Sequence, residues 1–326
     1  MALLTESTFK APWWLKSSHL QTIWPSLNRP RLKLDISLER INLRDGDFID
    51  LAWHGSEGPL VMIVHGLEGS LESHYATTML NALNQAGFST LFMHLRGCSG
   101  EPNRLPRSYH SGATEDLLEI LEHLHATDRR PDAVVGFSLG GNLLLKYLGE
   151  SGKNSHLRAA VAVSVPFNLA HAAQRLEQGF SRLYGRYLLR KLLRSHRIKC
   201  RNRSLSSPVD LSSIDTIYEF DDKITSVLNG FANADDYYSR CSSRPFLKNI
   251  STPTLILHAI DDPFMLPEDA PTLEELGPGI TLELSHQGGH VGFVQGSLPW
   301  RPEYWLDQRI PAYLKNRLLD DESDSR

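Results

Sequence analysis

The sequence predicts an α/β fold, a mostly parallel twisted sheet with helices on both faces and a helical cap insertion. Short runs rich in Val, Ile and Leu alternate with segments of helical spacing, which is typical of a parallel sheet covered on both faces. Two of these runs are separated by about 90 residues, far more than one crossover helix needs. A Gly-x-Ser-x-Gly motif joins another run directly to a helical segment.

The predicted elements follow one another without internal repeats. Residues 1–32 are expected to form an irregular aromatic arm, packed on the core or forming a pocket wall or a membrane-interface contact. An Asp-Gly turn at residues 45–46 predicts a hairpin. The strands are predicted at Leu34–Asn42, Phe48–Trp53, Pro59–Val64, Ser89–His94, Ala133–Phe137, Ala159–Val163, Thr254–Ala259 and Thr281–Leu284, and the helices at Tyr75–Ala86, Thr114–His125, Leu139–Gly149 and Arg301–Leu319.

This order predicts the domain boundaries. Residues 33–164 and 251–319 form the expected core, residues 165–250 the cap, and residues 320–326 a disordered acidic tail. The cap carries an apolar stripe at helical spacing, opposite a basic face on which Glu177 is the lone acidic residue. That face is either solvated or attracts an anionic surface or acyl carrier. The stripe comprises Leu176, Phe180, Leu183, Tyr184, Tyr187, Leu188 and Leu192.

Composition narrows the class of protein. A net charge of −4 argues against nucleic-acid binding. The three cysteines are far apart in the chain, so we expect reduced thiols in a cytoplasmic protein. The sequence has neither a secretory signal nor an apolar run near the roughly 18 residues of a spanning helix, so we expect a soluble protein with at most weak peripheral membrane contact. Nucleotide-binding loops and metal-ligand spacings are also missing, which predicts no cofactor and no metal.

The motif Gly136-Phe137-Ser138-Leu139-Gly140 predicts a nucleophile. It follows the apolar strand at residues 133–137 and precedes a helix, and this context describes a sharp turn that exposes a serine hydroxyl at the edge of a sheet. The glycines are expected because the turn brings backbone segments close together. Ser138 is therefore the candidate nucleophile.

A serine hydroxyl needs a base and an orienting acid. His290 is the candidate base, since it lies in a glycine-rich loop after the last predicted strand. Asp261 and Asp262 both follow the strand at residues 254–259. Asp262 is preferred as the acid for its position three residues after Ala259 and before a proline, while Asp261 would cap or brace the loop. The order Ser, Asp, His differs from the orders in chymotrypsin and subtilisin.

The oxyanion of the reaction requires backbone donors. We expect one from the N–H of Leu139, directly after the nucleophile. We expect the other from the N–H of Leu67, which follows His65-Gly66 at the end of the strand at residues 59–64; the alternative for this strand end is simple turn chemistry.

Together these motifs resemble the α/β-hydrolase superfamily, and within it the YheT-type branch, which also includes fungal medium-chain ester synthases. The resemblance runs from about residue 11 to residue 314 and includes Ser17–Thr22, His65–Gly69, Arg96–Gly100, Tyr109–Gly112, Gly136–Gly140, Asp261–Pro263 and Gly288–Phe293. It implies a triad of Ser138, Asp262 and His290 and esterase or acyl-transfer chemistry on acyl esters. Fold-level kinship does not name a substrate.

The sequence thus predicts a serine esterase that acts on small-molecule carboxylic esters of short to medium acyl chains through an acyl-enzyme. One alternative is an alcohol O-acyltransferase that uses the same triad, and the choice depends on how well the cap excludes water. Another is a catalytically silent hydrolase fold that serves as a binding module.

Overall fold

The computed structural model describes residues 1–55 and 57–319, so the predicted acidic tail lies outside the described residues. Within this part, nine strands form one sheet in the order β1-β9-β8-β7-β6-β4-β5-β3-β2. Neighbouring strands from β1 to β5 in this order run parallel, and β3 and β2 add an antiparallel hairpin at the edge. The fold prediction of a mostly parallel sheet is confirmed.

The strands and helices have the following bounds. The strands are β1 Leu3–Glu6, β2 Ser37–Asn42, β3 Phe48–His54, β4 Leu60–Val64, β5 Ser89–Met93, β6 Ala133–Phe137, β7 Ala159–Val163, β8 Thr254–Ala259, β9 Ile280–Ser285, β10 Val294–Leu298 and β11 Arg301–Tyr304. The helices are α1 Ser18–Asn28, α2 Ala76–Gln85, α3 Thr114–Ala126, α4 Leu139–Ser151, α5 Leu169–Arg175, α6 Arg182–Arg203, α7 Ile217–Phe220, α8 Ser226–Asn229, α9 Ala234–Cys241 and α10 Leu306–Leu318.

Apolar helices cover both faces of the central strands. Every residue of β4, β6, β7 and β8 is buried. Alternate side chains of β4 enter different cores: Met62 and Val64 pack with α3 and α4, whereas Val61 and Ile63 pack with α2 and α10. This double burial explains why the strand sequences read as continuous apolar runs rather than as alternating patterns.

The prediction of an irregular N-terminal arm is wrong, because the arm contains a strand and a helix. β1 pairs parallel with β9 and extends the sheet at its edge, and α1 forms a regular helix. Strand β1 has only four residues, which is too short to give a sequence pattern. Helix α1 was not predicted because it contains Pro25, and proline normally interrupts a helix. Trp14 and Trp24 pack edge to face, while Trp13 is exposed.

The closing helix was predicted to begin at Arg301, but in the structure it begins five residues later, at Leu306. Residues 301–304 form β11, which pairs antiparallel with β10, and α10 begins at Leu306. Pro302 explains the difference, since the residue before a proline favours extended backbone. Arg301 precedes Pro302 and lies in β11 accordingly.

The region between β7 and β8 is helical, but its apolar stripe is oriented differently from the prediction. The inward face of α6 carries Leu189, Leu192 and Leu193, whereas Leu183 and Tyr187 of the stripe are exposed. The helix also approaches neighbouring backbone closely at Gly185, where a Cβ would collide with the carbonyl oxygen of Leu176.

Candidate active site

The candidate nucleophile lies on a strained turn between β6 and α4. Ser138 has φ 51° and ψ −118°, a conformation that few residues with a side chain adopt. Glycines make this turn possible. A Cβ on Gly136 would collide with the carbonyl oxygen of Gly140, and a Cβ on Gly140 would collide with the carbonyl oxygens of Val64 and His65. The local sequence therefore places the hydroxyl at the carboxyl edge of the sheet.

The structure brings together the three side chains that the sequence analysis singled out. His290 Nε2 lies 3.0 Å from Ser138 Oγ, and His290 Nδ1 lies 2.8 Å from Asp262 Oδ2. Asp262 is buried, and its Oδ1 also accepts a 2.8 Å hydrogen bond from the backbone N–H of Phe264. With Nδ1 protonated, the imidazole donates to the carboxylate and leaves Nε2 free to accept the serine proton.

The competing aspartate has a different neighbour. Asp261 Oδ1 accepts a 3.0 Å hydrogen bond from the backbone N–H of Gly289, immediately before His290. Burial raises the pKa of Asp261 to about 6, and the charge of Asp262 adds to the rise while the Gly289 bond opposes it. Asp261 thus braces the histidine loop without contacting the ring.

The histidine loop contains strained backbone and is held by hydrogen bonds, several of them from the N-terminal helix. Val291 has φ 53°, which is an outlier for a β-branched residue, and its N–H donates to Ser164 Oγ at 3.0 Å. The N–H of His290 donates to Thr22 Oγ1 at 2.9 Å. Gln21 is fully buried and exchanges hydrogen bonds with the N–H and carbonyl of Val294. Helix α1 therefore fixes the loop from outside the sheet.

The two predicted backbone donors flank the serine. Leu139 is the first residue of α4, and Leu67 follows Gly66 after β4. Gly66 lies against the nucleophile, since a Cβ there would be 3.1 Å from Ser138 Cβ. In the part of the chain that the structure describes, neither the Leu67 N–H nor the Leu139 N–H donates to another protein group. Both amides are available to an oxyanion.

The turn after β4 is braced by buried side chains. The N–H of Gly66 donates to Tyr75 Oη at 3.1 Å. Burial lowers the pKa of His65 to about 3, so its ring is neutral and can both accept and donate. It accepts from the N–H of Leu95 at 3.0 Å and lies 2.7 Å from the Gly66 carbonyl oxygen. These bonds occupy the neighbouring backbone groups while the amide of Leu67 stays free.

Helix α6 of the cap reaches the same turn through Glu68. The N–H of Glu68 donates to Tyr109 Oη, and Tyr109 Oη donates back to Glu68 Oε1, both at 2.8 Å. Lys191 Nζ donates to the Glu68 carbonyl oxygen at 2.9 Å, and Ser195 Oγ donates to Glu68 Oε2. Burial and the Glu68 carboxylate raise the pKa of Tyr109 well above its usual value, so its hydroxyl remains a donor.

A cavity of about 630 Å³ opens beside these groups and lies between the sheet edge and the cap. Ser138 and His290 line it, together with α1 and α6. The ring of Phe264 stacks on that of His290, with centroids 3.9 Å apart and an interplanar angle of 5°. The volume lies within the range of small-molecule sites, about 300–1,000 Å³.

Sequence reasoning missed several residues that hold the site. Thr22 and Gln21 lie in the segment Ser17–Thr22 that carried the family resemblance, but the pattern assigned them no role. Glu68 likewise lies within the resemblance at His65–Gly69. Lys191 had no signal of its own, because it lies 123 residues from its partner in the chain.

Comparison with known proteins agrees with this architecture. Residues 59–297 match the family described as alpha/beta hydrolase fold. The chain is 44% identical to YheT of Escherichia coli strain K12, named as a candidate esterase, over 92% of this chain and 91% of that protein. It is 33% identical to human phospholipase ABHD3, over 85% of this chain and 71% of that protein.

A solved structure supports the fold in the same way. An esterase of Pyrococcus furiosus, Pf2001, superposes with a TM-score of 0.58 at 17% identity, covering 89% of this chain and all of that one. The chain belongs to the α/β hydrolase fold family, and the resemblance to the YheT-type branch is confirmed.

Two kinds of feature are absent from residues 1–55 and 57–319. No helix there is long and apolar enough to span a membrane. No group of three or more His, Cys, Asp or Glu side chains there is placed to hold a metal ion.

Proposed function

We propose that this protein is a serine hydrolase that cleaves carboxylic esters of short to medium acyl chains through Ser138, His290 and Asp262. The main support for this proposal is the pair of contacts that His290 makes. Its Nε2 lies 3.0 Å from Ser138 Oγ, and its Nδ1 lies 2.8 Å from Asp262 Oδ2. The names of its relatives, a candidate esterase and a phospholipase, support ester hydrolysis in general.

In the proposed reaction, His290 Nε2 takes the hydroxyl proton as Ser138 Oγ attacks the ester carbonyl carbon. Asp262 keeps the ring in the required tautomer and stabilises the imidazolium. The amides of Leu67 and Leu139 donate to the oxyanion of the tetrahedral intermediate. When that intermediate collapses, His290 returns the proton to the departing alcohol, and the acyl group stays on Ser138.

Water completes the proposed cycle. His290 takes a proton from water as the water attacks the acyl-enzyme. When the second tetrahedral intermediate collapses, the carboxylic acid leaves and His290 returns the proton to Ser138 Oγ. The cavity, with a volume of about 630 Å³, has room for the acyl chain and the alcohol portion of a small-molecule ester.

The test is a series of p-nitrophenyl esters of increasing acyl length, hydrolysed by the wild type and by Ser138→Ala. We expect a maximum of kcat/KM at short to medium chains. We expect the substitution to lower kcat by up to about 10⁶-fold, as for other serine nucleophiles. Circular dichroism would establish that the variant is folded. Near-normal turnover by a folded Ser138→Ala variant would refute the assignment.

A further inference from the structure

Helix α6 concentrates positive charge on the outside of the cap. It contains nine Lys and Arg residues and no Asp or Glu, although the whole chain carries a net charge of −4. Within residues 1–55 and 57–319, six exposed arginines of this helix form no ion pair with a carboxylate. They are Arg182, Arg186, Arg190, Arg194, Arg197 and Arg201.

Exposed apolar side chains lie among these charges and on the facing helix α1. On and just before α6, Phe180, Leu183 and Tyr187 are 48%, 53% and 59% exposed. On α1, Leu20 and Leu27 are 50% and 77% exposed. Here we call these five residues the apolar rim. Large apolar side chains grouped at a surface mark sites of association rather than ordinary solvated surface.

The apolar rim reaches the entrance to the cavity through two of its five residues. Leu27 and Tyr187 line the cavity and are also strongly exposed, so they lie where it opens to solvent. The two helices meet beside this opening: the ring of Phe180 lies 4.4 Å from that of His19, and Tyr184 Oη lies 3.1 Å from His19 Nδ1. A surface that covers the rim would therefore face the entrance.

We infer that the apolar rim and the arginines of α6 dock the protein on a lipid bilayer that contains anionic lipids, with the cavity entrance toward the membrane. The arginines match the negative surface potential of such a bilayer and bind lipid phosphates. The rim side chains enter the boundary between headgroups and acyl chains, which is the usual location of the apolar residues of interfacial helices. An acidic protein or a nucleic acid would satisfy the charges but would leave the rim unexplained.

This inference extends the proposed function, since it specifies where an ester substrate would enter. The test measures binding alone, by co-sedimentation with vesicles of phosphatidylcholine and of phosphatidylcholine mixed with phosphatidylglycerol, at low and at high salt. We expect binding to the mixed vesicles at low salt, weak binding to phosphatidylcholine alone, and loss of binding at high salt.

Two matched variants separate the surface from net charge. The triple variant Arg186→Glu/Arg190→Glu/Arg197→Glu reverses three charges on α6. Each Lys or Arg near the membrane surface contributes about fivefold to the affinity, so the loss of three should weaken binding by at least about 100-fold. The control is Arg130→Glu/Lys153→Glu/Lys248→Glu, which changes net charge equally. These residues shortly precede β6, β7 and β8, at the edge of the sheet opposite Ser138, and the control should bind like the wild type.

The outcomes distinguish this inference from the proposed function. A parallel assay with a soluble p-nitrophenyl ester should give unchanged turnover for both triple variants, and a wild type inactive in that assay would count against the proposed function alone. A third variant, Leu183→Ser, should weaken binding while leaving the salt dependence intact. Equal binding to both vesicle types, or equal losses in the α6 variant and the control, would overturn the inference.

Discussion

At the residue scale, two adjacent aspartates of the site make different contacts. Asp262 and Asp261 are adjacent in the chain, yet one contacts the imidazole of His290 and the other contacts the backbone before it. Ser138 and Val291 both adopt left-handed backbone, which costs on the order of 1–3 kcal/mol each and persists only where surrounding contacts impose it. Surrounding contacts thus hold strained backbone at the serine and next to the histidine.

The first prediction concerns the two aspartates. Asp262→Asn should lower kcat by about 10⁴-fold, because the amide favours the wrong imidazole tautomer. Asp261→Asn should cause a much smaller loss, since the amide oxygen can still accept from the N–H of Gly289. Steady-state kinetics on a soluble ester measures both. The reverse ranking would assign the acid to Asp261.

The second prediction concerns stability and pH. The native pKa of Asp261, about 6, lies above the usual value near 4, so the folded protein binds this proton more tightly than the unfolded chain does. Its contribution to the free energy of unfolding is therefore most favourable below about pH 4 and is lost as the pH rises through about 6. Thermal unfolding across this range should show Asp261→Asn gaining stability relative to wild type as the pH increases. Parallel curves for the two proteins would contradict it.

At the scale of elements, two helices outside the sheet hold the loops that carry the site. Helix α1 fixes the histidine loop through Thr22 and Gln21, and α6 contacts the turn after β4 through Lys191 and Ser195. Glu68 links α6 to the backbone beside the Leu67 amide. The cap is thus connected to one of the two proposed oxyanion donors.

The third prediction concerns that connection. Glu68→Ala should lower kcat by about 10- to 100-fold with little change in KM, which is less than the 10²–10³ loss of an entire oxyanion donor. Glu68→Gln should recover part of the activity, because its amide oxygen can still accept from Tyr109. Affinity for a trifluoromethyl ketone, which mimics the tetrahedral intermediate, should fall in parallel with kcat.

The control for this prediction is Glu101→Gln. Glu101 also links the core to α6, through Arg203, but lies away from the turn after β4. It should leave kcat and ketone affinity unchanged. If both glutamate variants lose activity equally, general loosening of the cap explains the loss instead.

The fourth prediction concerns α1. Gln21→Leu keeps the approximate volume but removes hydrogen bonds to the Leu15 carbonyl and to both backbone groups of Val294. The free energy of unfolding should fall by about 3 kcal/mol or more, because each unsatisfied buried group costs about 1–3 kcal/mol. Denaturant titration measures the change. A loss below about 1 kcal/mol would show that these bonds contribute little.

At the scale of the whole molecule, the carboxyl ends of β4, β6 and β8 and the loop after β9 bring the proposed catalytic groups to one edge of the sheet. The cap covers this edge, but the cavity entrance remains open, since Leu27 and Tyr187 line it while exposed. Water can therefore reach the proposed acyl-enzyme on Ser138. This openness favours hydrolysis over transfer to an alcohol.

The fifth prediction follows from that openness. With a p-nitrophenyl ester and added butanol at low concentration, the free acid should be the main product and the butyl ester a minor one. Chromatography of both products measures the partition. A predominance of butyl ester at low butanol would favour the acyltransferase alternative.

The sequence predicted those parts of the molecule whose signals are local. The continuous run in β4 indicated a strand buried on both faces, and the Gly-x-Ser-x-Gly motif located the turn at Ser138. The edge strand β1 was not predicted because it is stabilised by pairing with β9, which is far away in the chain. Helix α1 was not predicted because it contains Pro25. The contact between Lys191 and Glu68 depends on how the cap packs, which no local pattern encodes.

The proposed function requires that Ser138 is a nucleophile activated by His290. The most direct measurement is covalent labelling with a fluorophosphonate probe, followed by intact mass and peptide mapping, on wild type, Ser138→Ala and His290→Ala. We expect one adduct on Ser138 in the wild type, no adduct in Ser138→Ala and much slower labelling in His290→Ala. Labelling at another serine, or no labelling of folded wild type, would contradict the proposed function.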